Sequence, residues 1–169
     1  AQDPARSADD KNFWSAEPAP AKPVPPPIVP AHWMVLPKDS NASIAQVFAR
    51  HLLDPLSPAP SADGSGLPWK SAESKYPAGI VAAFTRIRSE RDEVRMARLT
   101  GAELLFVNGE GFVGDVDNHG FRGVPIALKQ GDNDLFVLGV PDSFELELWV
   151  PQTRTVLGSW DVAWRGENP

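Results

Sequence analysis

The stretch Asp115-Val116-Asp117-Asn118-His119-Gly120 holds the densest set of potential ligand atoms in the chain. Asp115, Asp117 and Asn118 put three oxygen-bearing side chains within a few residues, and hard cations such as calcium collect such oxygens. The stretch is therefore a candidate calcium site. An EF-hand is excluded: the position that should supply the closing carboxylate is Ile126, and no helices flank the loop. The competing reading is a polar turn in which Asp and Asn bond to nearby amides.

Just upstream, Gly109-Glu110-Gly111-Phe112-Val113-Gly114 satisfies the spacing G-x-G-x-x-G. A dinucleotide site needs a helix to begin there, so that its amides meet the pyrophosphate. The next residues are DVDNHGFRGVP, with glycine and proline where the helix should run, so the string reads as turn geometry.

Catalytic constellations are hard to assemble. His32, His51 and His119 sit in separate segments, and Asp63-Gly64-Ser65-Gly66 lacks the spacing of a nucleophile elbow. Glu145 and Glu147 share one strand face, whereas a glycosidase pair must flank its substrate across a cleft. No catalytic residue is assigned. The tryptophans are the better lead, because an indole face packs against sugar C–H groups or a protein surface. Trp69, Trp149, Trp160 and Trp164 belong to the folded part. Trp149 falls on the Glu145/Glu147 side of its strand, where exposure would mark a contact surface. Trp149 and Trp69, with His119 and Asn118 of the neighbouring loop, are the candidate ligand-binding residues.

These residues need elements to hold them. The chain of 169 residues suffices for one domain with a core plus a long tail. Its net charge of −6, without a basic cluster, argues against a nucleic-acid partner. No apolar run reaches the roughly 20 residues needed to span a bilayer. With no cysteine there is no disulfide framework and no thiolate chemistry. The opening Ala1-Gln2-Asp3-Pro4 resembles the product of signal-peptide cleavage, which points to an extracytoplasmic location. Asn41-Ala42-Ser43 is a formal glycosylation sequon.

Residues 1–31 contain PAPAKPVPPPIVP, where proline favours polyproline II over helix or sheet. This is a leader or strap, with Phe13 and Trp14 as anchors if it docks. Residues 32–68 are expected to hold one short helix, about 43–53, with cap candidates Ser40, Asn41 and Ser43 ahead of Ile44, Val47, Phe48, His51 and Leu52. Asp54-Pro55 ends it, and a Pro/Ser/Gly linker follows. From 69 to 164 the pattern is strand-like: 80–87, 94–99, 104–107, 124–128, 135–140, 144–149 and 156–164, separated by turn clusters. Asn108-Gly109 and Gly131-Asp132-Asn133 are hairpin signals, which predict a meander over 104–138. Phe144, Leu146 and Leu148 should face a core, with Glu145 and Glu147 outside. Arg86, Arg88, Arg95 and Arg98 are expected at exposed positions. The fold class is all-β, an antiparallel sandwich of jelly-roll type with one short helix and an extended proline-rich leader. Residues 165–169 are a tail or the start of a linker, and Trp160 and Trp164 suggest that the chain leads into a further domain.

From about Trp69 to Leu148 the sequence resembles the galactose-binding-domain-like jelly roll, an accessory module of secreted hydrolases. The matching positions are Asn108-Gly109, Gly114-Asp115, Phe121, Pro125, Lys129, Gly131 and Asn133. The resemblance implies a module that binds glycan, holds a structural calcium or buttresses a catalytic domain, and it specifies fold more than activity. The expectation is therefore a non-catalytic docking module for glycan or a partner protein, within a larger exported assembly. Two alternatives stand beside it: the N-terminal fragment of a secreted hydrolase whose catalytic residues lie downstream, and a structural scaffold subunit tied to others by its proline-rich strap.

Overall fold

The computed structural model describes residues 24–54, 59–61, 66–117 and 122–151. Among the described residues, nine strands form two antiparallel sheets. In chain order they are β1 His32–Pro37, β2 Lys70–Glu73, β3 Ile80–Ser89, β4 Glu93–Thr100, β5 Leu104–Val107, β6 Glu110–Val113, β7 Arg122–Leu128, β8 Gly131–Leu138 and β9 Glu145–Trp149. The larger sheet has the order β2-β1-β3-β8-β5-β6 and the smaller the order β7-β4-β9.

Among the described strands of 104–138, only β5 and β6 form the hairpin that a meander would repeat. The chain instead steps from sheet to sheet after β3, β4, β6, β7 and β8, which is the winding of a β-sandwich joined by crossovers. The expected meander is thereby corrected. Turn chemistry gave the positions of the reversals, and it carries no information on whether the next strand pairs locally or crosses to the facing sheet.

Alternation builds the core. Leu146 and Leu148 of β9, Ala97 and Leu99 of β4, and Ile126 and Leu128 of β7 face Leu135 and Val137 of β8, Leu105 and Val107 of β5, and Trp33 and Val35 of β1. Trp33 meets Phe144 edge-on, with centroids 5.0 Å apart. A second core lies on the far side of the larger sheet, where Phe84, Phe136, Leu36 and Leu138 pack against Val47, Leu67 and Trp69.

The element covering that second face is the expected helix. It begins as α1, Ile44–Val47, and continues as a π-type turn over Phe48–Leu52. Ser43 caps it through a reciprocal box with Gln46, in which Gln46 N donates to Ser43 Oγ (3.3 Å) and Ser43 N donates to Gln46 Oε1 (2.8 Å).

Turn residues behave as their chemistry demands. Asn108 and Gly109 take φ of 51° and 85°, the two positive values that a tight hairpin requires between β5 and β6. Asn133, fully buried, ties one end of the sandwich together. Its Nδ2 donates to the Lys129 and Gly131 carbonyls (2.9 and 3.1 Å), and its Oδ1 accepts from Lys129 N and Asn108 Nδ2 (2.9 Å each).

Three further differences from the sequence-based expectations have physical causes. The segment 32–68 opens with a strand, β1, because HWMVLP lies between prolines and reads as tail until β3 supplies its partner. Arg95, expected outside, points inward with Ala97 and Leu99, since residues two apart share a strand face. It meets Glu93 at 2.9 Å, and its side chain is 12% exposed. Leader residues 24–31 partly belong to the fold: Ile28 pairs with Leu148 and packs on the core. Residues 1–23 of the leader and the strand expected at 156–164 lie outside the described residues.

Candidate functional site: the outer face of the three-stranded sheet

Inward placement of Ala97, Leu99, Leu146 and Leu148 fixes what must point out. On β4 these are Val94, Met96, Arg98 and Thr100; on β9 they are Glu145, Glu147 and Trp149; on β7 they are Gly123, Pro125 and Ala127. The register then aligns them in rows across the sheet. Pro125, Met96 and Trp149 form one row, with Ala127 and Val94 beside it. Gly123, Arg98 and Glu147 form the next, followed by Thr100 and Glu145. One half of the face is apolar and the other half polar, and among the described residues no element packs over it.

The two halves are joined by hydrogen bonds. Trp149 Nε1 donates to Glu147 Oε2 at 2.8 Å, and Arg98 Nη1 lies 3.7 Å from the same oxygen. This fixes the indole beside the carboxylate and leaves its ring half-buried. Val94, 54% exposed, gives the apolar half an unusually open aliphatic side chain. Pro125 lies on the edge strand β7, where the missing N–H removes no internal ladder bond.

The other expected site residues separate. Trp69 is buried at 5% exposure beneath the helical segment, with His51 edge-on at 5.7 Å, so it serves the second core and offers no open ring face. Asp115 is also buried. Its Oδ2 accepts from Gly101 N at 3.3 Å, while Asp117 is exposed. Asp115 thus acts in the described structure as a turn acceptor. Among the described residues, no group of three or more His, Asp or Glu gathers as a metal would require. Asn118 and His119 lie outside the described residues.

The glycine string loses its nucleotide reading here. Val113 ends a strand, no helix follows it among the described residues, and a Cβ at Gly114 would stand 2.4 Å from the Ala102 carbonyl oxygen. That glycine admits a close backbone approach.

No protein-family model, curated protein or solved structure matches the chain. Among the described residues, no helix is long and apolar enough to cross a membrane. The face is accordingly read from its own chemistry.

Sequence reasoning found Trp149 and missed Met96, Pro125 and Arg98 as its neighbours. The first follows from alternation within one strand. The others become neighbours only through pairing between strands far apart in sequence, and a single chain carries no local signal of that register.

A concavity of about 390 Å³ opens beside the end of β1, the start of β3 and the end of β8, lined by Lys38, Ile44, Ile80, Val81, Glu103, Gly139, Val140 and Pro141. Lys38 Nζ donates to the Pro141 carbonyl across its rim.

Proposed function

We propose that this chain is a non-catalytic β-sandwich docking module that binds a protein partner through the outer face of the three-stranded sheet, within a larger exported assembly. The observation that carries this reading is the row Pro125, Met96 and Trp149, uncovered among the described residues and bordered by the linked group Arg98, Glu147 and Trp149. Trp, Met and Arg are the residue types enriched at protein interfaces, and an apolar centre with a polar border is the usual anatomy of such patches.

A protein partner fits better than a glycan. Sugar recognition needs several free polar groups converging around one aromatic ring. Here the Trp149 N–H and the Glu147 carboxylate already engage one another, and the rest of the row is aliphatic. The partner surface should therefore present an apolar strip, with opposite charges set against Arg98 and Glu145.

The test is a binding comparison between wild type and Trp149→Ala, using partner proteins recovered with the full chain and then purified, alongside a glycan array. Loss of protein binding by at least tenfold in the variant supports the reading. Glycan binding that depends on Trp149, without any protein partner, would replace it with a carbohydrate-docking role.

A further inference from the structure

Among the described residues the edge of β9 opposite β4 is only partly used, and its ladder pair comes from the leader. Ile28 N donates to Leu148 O at 3.0 Å and Leu148 N donates to Ile28 O at 2.9 Å. Lower on the same edge, Phe144 N donates to Pro77 O at 3.3 Å. Because alternate residues of an antiparallel strand turn both backbone groups the same way, Leu146 also directs its N–H and C=O to this edge. No backbone partner meets them among the described residues.

The strap's own sequence explains the gap. Continuing the antiparallel register two residues from the Ile28–Leu148 pair sets Pro30 opposite Leu146. Proline has no N–H to give, and the Pro30 carbonyl already accepts from Trp33 Nε1 at 3.3 Å. A strap reading Pro25-Pro26-Pro27-Ile28-Val29-Pro30 can form one ladder pair and no more.

We propose that the β9 edge is a strand-acceptor site, held closed by the chain's own strap at the single residue Ile28, and that its other occupant is an extended segment of a partner protein. A segment with an ordinary residue where the strap has Pro30 pairs with Leu146 as well as Leu148, so it displaces the strap by virtue of a further pair of backbone bonds. The strap opposes it through high local concentration. This keeps a ready edge from pairing indiscriminately. The inference rests on the reading of the chain as a protein-docking module, but it uses the edge of β9 and not the sheet face.

The experiment uses the full chain and a synthetic peptide copying residues 24–31 with Pro30→Thr. Titration calorimetry compares wild type with Ile28→Pro, which cannot donate to Leu148. The expected result is peptide affinity at least tenfold higher for Ile28→Pro, and no binding of a control peptide that also carries Ile28→Pro. Equal affinity for both proteins, or binding to neither, overturns the proposal.

Since Ile28 also packs on the core, amide exchange on wild type supplies a measurement independent of that variant. The Leu148 amide should exchange by local opening, at least tenfold faster than that of Val137 in the centre of the larger sheet; equal rates would overturn the proposal. Trp149→Ala separates the two readings. It should leave peptide affinity within twofold of its parent while abolishing docking through the face.

Discussion

Asn133 holds two turns in place with one amide. Its four hydrogen bonds reach the β7–β8 turn at both ends and Asn108 of the β5–β6 turn. Asn133→Ala leaves those buried groups unsatisfied, and urea unfolding should show a loss of about 2–4 kcal/mol. Arg86 is the contrasting case. It meets Asp134 through two bonds, of 2.5 and 2.9 Å, and that hydrogen bonding with Asp134 raises the guanidinium pKa above its usual value against the effect of burial. Both side chains are partly exposed, so Arg86→Ala should cost less than about 1 kcal/mol in the same assay. The sequence pattern Lys129-x-Gly131-x-Asn133 made the reversal between β7 and β8 legible through the chemistry of glycine and asparagine, although Gly131, Asp132 and Asn133 themselves open β8. The inward turn of Arg95 was not legible. A charged residue on a strand normally marks the wet face, and only the nearby Glu93 allows this one to sit inside.

At the scale of elements, the helix was legible through its cap and its periodic apolar residues. Ser43→Ala removes the box and should lower stability by about 1 kcal/mol, again by urea unfolding. Strands with clear alternation, such as β9, and strands with apolar runs, such as β3 and β5, were legible too. Strands β1 and β2 were not: the first is framed by prolines and the second reads KSAE. Their strand character comes from the neighbours that supply hydrogen bonds, which is a property of the tertiary fold. The leader shows the same dependence. Proline explains why it makes no continuous strand, while its anchoring at Ile28 follows from the open edge of β9. Leu148→Ala, at a fully buried position beneath that anchor, should cost about 2–5 kcal/mol.

At the scale of the molecule, an all-β sandwich was readable from turn spacing, and the order β2-β1-β3-β8-β5-β6 facing β7-β4-β9 was not, because crossovers leave no mark in composition. That order is what creates the candidate site. It brings β7 and β9 to either side of β4, places Pro125 and Trp149 in one row with Met96, and leaves their outer face open among the described residues. Partner docking through this face is the proposed role. The most direct measurement is the affinity of a purified protein partner for the full chain carrying Met96→Lys, a change at the centre of the row that leaves the inward residues untouched. Binding should fall at least tenfold, with unfolding free energy within about 1 kcal/mol of wild type. Undiminished binding by a folded Met96→Lys protein would contradict docking through this face.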